Sequence, residues 1–348
     1  MSAPHWPAEW APQAGVLVTW PRRDSDWGRH QAAAETTFAG LVSAITQFEP
    51  ALVIVADRAH RIEVAARLQA AASRADRVVF AELPSNDAWA RDHGPLTVID
   101  AGGARLVHPR FDGWGGRYAA DLDSRIPKRL FDLGVVSASA YQELAINVEG
   151  GALETDGAGT LLATARSLTG GTRNAGHSAE AVVAALAPWL GVQRTHLLAH
   201  GGLVGDDTDG HIDTLARFAP NDTIVYSSCD EPTDANFEAL QAMAAELKAL
   251  RTREGRPYNL VPLPIPAPCY GPAGDRLPAN YANFLVINSA VIVPVHDDPM
   301  DTVALARINA SFSDRHVVAL PALPLLMQHG SIHCVTMHLP EPLQLAER

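Results

Sequence analysis

Cysteine is scarce in this chain, with three among 348 residues: Cys229, Cys269 and Cys334. An odd number at wide spacing gives no disulfide framework, and no CxxC pair offers an ordinary zinc site. Long apolar runs are also missing, and none reaches the roughly 20 residues that a membrane-spanning helix needs. Met1 to Trp10 contains no basic stretch followed by an apolar one, so a signal peptide is not expected. Positive charge is outnumbered, with 27 Lys and Arg against 39 Asp and Glu, a formal net charge of -12. That balance excludes the basic patch on which nucleic acid or an anionic membrane would dock. No polar low-complexity tract appears, and only 19% of residues are charged, which argues against disorder. These absences together predict a globular protein of the reducing cytosol, where a lone cysteine can persist as a reactive thiol. An acidic protein also attracts small cations over a distance, although many are acidic only for solubility.

What is present is alternation. Apolar runs read as buried strands at 15–20, 51–55, 77–80, 160–163, 223–226, 284–287 and 290–293. Between them, apolar residues spaced three and four apart predict helices over 30–48, 58–72, 178–190, 234–250 and 302–312. Strand and helix alternate to the end, the pattern of an α/β protein. No segment reads as a flexible linker, so a single domain is expected. Polar clusters unlike core follow apolar segments at 86–95, 149–151, 206–213 and 330–334. The first three centre on Asp92, Glu149 and His211, which lie 57 and 62 residues apart. A pseudo-repeat of that period would set each cluster at an equivalent point of successive units, facing one axis.

Each cluster supports a chemical reading beside a plainer one. In His329-Gly-Ser-Ile-His-Cys334-Val-Thr-Met-His338, small residues let backbone and substrate approach the sulfur. Nearby cations would favour the nucleophilic thiolate. The plainer readings are an inert buried thiol or a metal ligand, but the histidine spacing matches no standard zinc pattern. In Gly205-Asp-Asp-Thr-Asp-Gly-His211-Ile-Asp213, an extended backbone would turn His211 and Asp213 to one side and Ile212 into the core. A histidine beside a carboxylate suits proton transfer near neutrality. The spacing of a calcium loop, with its terminal Glu, is absent. In Asn86-Asp-Ala-Trp-Ala-Arg-Asp-His-Gly-Pro95, Asp92 adjoins Arg91 and could be half of a structural ion pair, while Trp89 offers a flat wall. Glu149, between an apolar strand and a glycine pair, could be an ordinary strand-end charge or could orient a histidine.

Taken together, these residues suit one task. A guanidinium presents a planar fork of N–H donors that carboxylates accept in pairs. Its carbon is a poor electrophile and needs a strong nucleophile, a fixed orientation and protonation of the departing nitrogen. Carboxylates, a cysteine and a histidine supply these without a metal or cofactor.

The segments 86–95, 148–159, 206–218, 278–294 and 331–340 resemble the agmatine deiminase and bacterial-type peptidylarginine deiminase family. So do the opening Pro7-Ala-Glu-Trp-Ala-Pro-Gln13, Trp20-Pro21 and Asp26-Trp27. The resemblance implies a pentein fold, five ββαβ units about a pseudo-fivefold axis with the site at the centre. It implies Cys334 as nucleophile, His211 as general acid and base, Glu149 holding His211, and Asp92 with Asp213 clamping the guanidinium. Trp89 and Asp207 match positions along the substrate tail, and Asp87, in the same segment as Trp89, joins them as a substrate-binding candidate. The implied activity is hydrolysis of agmatine in the cytoplasm. Alternatives are deimination of free, methylated or peptidyl arginine, amidine transfer, and polyamine binding without catalysis. The implied partner is a small cationic guanidinium compound, with neither nucleic acid nor membrane, and the sequence leaves a homodimer open. Two departures stand out: Gly330 is followed by Ser331 where many members have a glycine run, and Leu153-Glu154-Thr155 replaces a common Ile-His-Val.

Overall fold

The computed structural model describes residues 4–346. Its strands form five separate sheets, and one connection pattern repeats through all of them. An antiparallel hairpin leads into a helix, and the helix returns the chain to a third strand parallel to the second. Leu96–Asp100, Gly103–Arg110 and Ala140–Asn147 make one such sheet. Glu154–Thr155, Thr160–Thr164 and Arg194–Leu198 make the next, and Ala216–Ala219, Thr223–Ser228 and Asn259–Pro264 the third. Leu285–Ile287, Ala290–Val295 and His316–Pro321 follow. The last sheet joins the two ends of the chain: Thr336–Pro340 lies antiparallel to Gln13–Thr19, which runs parallel to Ala51–Val55, with Val78–Glu82 added at the edge. This is the five-bladed α/β propeller of the penteins.

The predicted strands and helices all form, with ends shifted by a few residues. The helices are Gln31–Phe48, Arg58–Ala70, Ala179–Leu190, Phe237–Ala249 and Met300–Ser311. Ser178 caps the third of these by accepting from the Ala181 N–H, and Gly191 ends it in the left-handed conformation. Strands such as Gly103–Arg110 and Asn259–Pro264 escaped the sequence reading because polar residues and prolines interrupt their apolar pattern. Gly103–Arg110 is the central strand of its sheet, and Asn259–Pro264 is a third strand, mostly half-buried. Several helices pack between neighbouring sheets: Met300–Ser311 touches both Asn259–Pro264 and its own His316–Pro321, and Gln31–Phe48 touches both His316–Pro321 and Ala51–Val55. Among the described residues no helix is long and apolar enough to cross a membrane.

The topology places the four polar clusters at equivalent points. Each lies between the third strand of one unit and the first strand of the next. Asp92 sits on the short helix Ala90–His93, Glu149 just ahead of the turn Gly150–Ala152, His211 just ahead of the turn Ile212–Thr214, and Cys334 just before Thr336–Pro340. The remaining unit junction carries Asn283, just before Leu285–Ile287. One expectation is corrected here. His211 and Asp213 do not share a face of extended chain, because Ile212–Thr214 is a 3-10 turn. The turn still sends Ile212 into the core.

Packing under the Gln31–Phe48 helix should be among the most sensitive in the molecule. Phe38 is wholly buried, its ring 5.8 Å from Trp20 and 6.5 Å from Trp27. Phe38→Ala is expected to lower stability by about 3–5 kcal/mol in urea melts.

Candidate active site

Cys334 lies at the floor of a pocket of about 480 Å³. Asp26, Asp87, Trp89, Asp92, Trp114, Tyr118, Asp207, Thr208, Gln328, His329 and Gly330 complete its lining. Five of the eight residues singled out in the sequence thus face one cavity: Cys334, Asp92, Trp89, Asp87 and Asp207. The other three, Glu149, His211 and Asp213, are buried against its inner wall.

Gly151 shows how tightly they converge. A Cβ at that position would stand 2.7 Å from His211 Nδ1, 2.8 Å from Asp92 Oδ1 and 3.1 Å from Asp213 Oδ2. Only glycine lets three charged side chains meet over one backbone. Gly330 plays a similar part at the pocket wall, where a Cβ would stand 2.0 Å from the Trp89 ring. Trp89 is braced behind by Trp27, with ring centroids 5.8 Å apart.

Asp92 does not pair with its neighbour Arg91, so the structural ion-pair reading is corrected. Arg91 turns the other way, to Glu9 at 3.4 Å and to the His338 ring at 3.0 Å. Asp92 instead accepts from Trp114 Nε1 at 3.0 Å and from the Gly151 N–H at 3.1 Å. His211 lies between two carboxylates, with Nδ1 3.6 Å from Asp92 and Nε2 3.6 Å from Glu149. Arg173, wholly buried, fixes Glu149 by donating Nε to both of its oxygens at 2.8 and 2.9 Å. Its Nη1 donates to Asp209 at 2.6 Å, and Asp209 also receives both bonds of Arg117 at 2.8 Å. Arg117 further bonds the Asp207 carbonyl, so one network ties the histidine's carboxylate partner to the loop at the pocket mouth.

Asp213 Oδ2 is 2.8 Å from His333 Nδ1 and 3.8 Å from the Cys334 sulfur. The sulfur also lies 3.3 Å from Asn283 Oδ1, which accepts from the Cys334 N–H at 3.2 Å. The histidines around Cys334 do not form a shared ligand set: His329 bonds the Gly205 carbonyl, His333 bridges carboxylates, and His338 meets Arg91. Among the described residues no group of three or more His, Cys, Asp or Glu is arranged to hold a metal ion.

These contacts set the protonation states. Burial pushes the Cys334 thiol well above its ordinary value, and the charges of Asp213 and Asp92 add to the effect. Burial also lifts Asp92 to about 6, despite the neighbouring His211. Burial alone would lower His211, but Asp92 and Glu149 outweigh it and raise the imidazole to about 9. Burial works to raise Glu149 and Asp213 as well, yet both stay below the usual range: His211 and Arg173 hold down Glu149, and His333 and His211 hold down Asp213. At the mouth, burial raises Asp87 to about 6 and raises Asp207. At neutral pH the empty site therefore holds a protonated sulfur, an imidazolium and an excess of carboxylates, a field suited to one more cation.

Several participants were not legible in the sequence. Asn283 had a usable signal, its place at the fifth unit junction. Trp114 lies in the glycine-rich run Asp112–Gly116 with a left-handed backbone (φ 58°), a mark of a constrained turn but not of a partner. For Arg173 no local signal exists, and Glu9 lay in the Pro7–Gln13 segment of the family resemblance without a role attached to it.

The sequence model of the Porphyromonas-type peptidyl-arginine deiminase family matches residues 5–340. Agmatine deiminase of Pseudomonas syringae pv. tomato is 33% identical, covering 98% of this chain and 96% of its own. A solved Porphyromonas gingivalis protein described as a candidate arginine deiminase superposes with a TM-score of 0.90 at 44% identity, covering 98% of this chain and 99% of its own. A Cys-to-Ser agmatine deiminase of C. jejuni, solved with substrate bound, gives a TM-score of 0.88 at 28% identity, covering 97% and 96%. Fold and site define a guanidine-modifying hydrolase of the α/β propeller class. Within that class, the chain belongs to the Porphyromonas-type peptidyl-arginine deiminase family.

Arg173→Ala would leave Glu149 and Asp209 buried without their cation. A loss of about 3–5 kcal/mol in urea melts is expected, with activity falling even in the fraction that folds.

Proposed function

We propose that this protein hydrolyses agmatine to N-carbamoylputrescine and ammonia, with the whole chain acting as one catalytic unit in the cytoplasm. The observation that carries this reading is the charge of the pocket. Its floor holds Cys334 beside Asp92, and its mouth holds Asp26, Asp87 and Asp207, with no Lys or Arg among the described lining residues. A ligand with a cation at each end and a short alkyl chain between fits that lining. Trp89, Trp114 and Tyr118 supply the apolar walls. The agmatine deiminases among its relatives support the same substrate.

The steps follow from the residues. Asp92 and Asp213 accept the guanidinium N–H groups and hold the central carbon against Cys334. The incoming positive charge reverses the field that kept the sulfur protonated, and the thiol releases its proton. The thiolate forms a bond to the carbon. His211, an imidazolium in the free site, gives its proton to an adjacent amino group, the carbon–nitrogen bond breaks, and ammonia departs. A cationic thiouronium remains on Cys334. Neutral His211 then takes a proton from water, and the hydroxide adds to the same carbon. Collapse breaks the carbon–sulfur bond, the hydroxyl proton returns to the sulfur, and the carbamoyl product leaves. Ammonia and the proton displaced on binding together make ammonium, so the cycle balances.

A second reading, free arginine, is favoured by the likeness to the P. gingivalis protein. The pocket mouth opposes it, because the α-carboxylate of arginine would meet Asp87 and Asp207, and such like-charge contacts cost several kcal/mol. Ammonia release from agmatine, arginine and a blocked arginyl peptide should favour agmatine in kcat/KM by about 100-fold or more. Equal or better turnover of arginine would sink the agmatine assignment. Cys334→Ser is expected to bind agmatine while losing turnover by about 10⁴-fold or more, as measured in single-turnover experiments. The kcat/KM profile should rise through pH about 6 as Asp92 ionises and fall above about 9 as His211 loses its proton.

A further inference from the structure

Asp213 also leads into a buried chain of contacts that the hydrolytic steps do not use. His333 is buried, with Nδ1 2.8 Å from Asp213 Oδ2 and Nε2 2.7 Å from Glu9 Oε2. Its N–H is held by Asn283, the residue that also touches the Cys334 sulfur. Glu9 comes from the opposite end of the chain. Its Oε1 accepts from the Val286 N–H at 2.7 Å, and its Oε2 faces Arg217 at 3.0 Å, Arg91 at 3.4 Å and His338 at 3.7 Å. Arg217 is itself paired with Glu154 at 2.8 Å.

A neutral imidazole carries one N–H, yet this ring makes two short contacts with carboxylate oxygens. Without a proton in each, two lone pairs would face one another at hydrogen-bond distance. Burial, Arg217 and Arg91 work against a charge on the ring and on balance hold its pKa below the ordinary value, although Glu9 and Asp213 work for it; the charge is therefore assigned from geometry. The two contact distances decide for the doubly protonated form. Asp213 then has one oxygen committed to His333. Its Oδ1 is buried and has no hydrogen-bond partner among the described residues, an arrangement that costs free energy unless something fills it.

We propose that Glu9 and His333 are positioning residues acting through Asp213: the doubly protonated ring ties up Oδ2, leaves Oδ1 as the oxygen offered to a guanidinium, and screens this carboxylate from the Cys334 sulfur. The assignment rests on the deiminase reading of the site. Glu9→Gln separates charge from geometry. Whichever way the amide turns between the Val286 N–H and Arg217, the negative charge that sustains the second proton on the ring is gone, while the Nδ1–H can still hold Asp213. His333→Gln removes the bridge itself.

The wild-type protein supplies the first test. Nitrogen-15 NMR of histidine-labelled enzyme at neutral pH should show a proton on both nitrogens of His333, and a bare nitrogen would overturn the proposal even if every variant failed to fold. In folded Glu9→Gln, the pH profile of Cys334 alkylation by iodoacetamide, followed at that residue by mass spectrometry, should move to higher pH by about one unit or more. His333→Gln should lower kcat for agmatine by about 100-fold with a smaller change in KM. An unchanged alkylation profile in folded Glu9→Gln, or wild-type kcat in folded His333→Gln, would show a merely structural role. Failure of the wild type to hydrolyse agmatine would instead count against the substrate, and the NMR and alkylation results would stand apart from it.

Discussion

The centre of this protein depends on one electrostatic constraint: several carboxylates are buried around a single axis, and each must be compensated or the fold fails. Burying a carboxylate alone costs far more than the net stability of a domain, so it survives only with a cation or several hydrogen bonds. Glu149 has Arg173, Asp213 has His333, Glu154 and Glu9 share Arg217, and Asp92 has an indole N–H and a backbone amide. The compensation is full for Glu149 and incomplete for Asp92 and Asp213. Among the described residues, no cationic side chain donates a hydrogen bond to Asp92 on the pocket lining, and one oxygen of Asp213 has no hydrogen-bond partner. The same ledger that stabilises the fold thus leaves a defined place for an incoming cation.

Under the proposed mechanism, that asymmetry also keeps the Cys334 sulfur quiet before substrate binds. A thiolate would add another negative charge to an acidic, dry site, and the sulfur stays protonated until a cation arrives. Reactivity is thereby tied to occupancy. The imidazolium at His211 is sustained by the same carboxylates, so one field holds the Cys334 thiol and the His211 ring both protonated, as the proposed mechanism requires.

The legible parts of the site shared a local signature. Asp92, Glu149, His211 and Cys334 each stand in a polar cluster between apolar segments, where a charged or reactive residue has no ordinary reason to be. Their roughly regular spacing pointed to repeated units, and the unit junctions are where the structure places them. Asn283 occupies the remaining junction but escaped notice, because a neutral amide after a proline-rich stretch does not look chemical. Trp114 enters from the crossover within a unit, so no argument from periodicity reaches it. Arg91 misled in the opposite way: adjacency suggested a pair with Asp92, but a short helix turns consecutive side chains to different sides.

The sequence by itself determined which segments become strands and helices, since that depends on local periodicity of apolar residues, and it marked Cys334, His211 and the carboxylates near them by residue type. Only the tertiary structure decided who pairs with whom. Glu9 meets His333, and Arg173 meets Glu149 and Asp209, because closing the ring brings opposite ends of the chain and separate units to one axis. Such pairings are set by long-range geometry and by the cost of an unpaired buried charge, and neither quantity is written in any short window of residues.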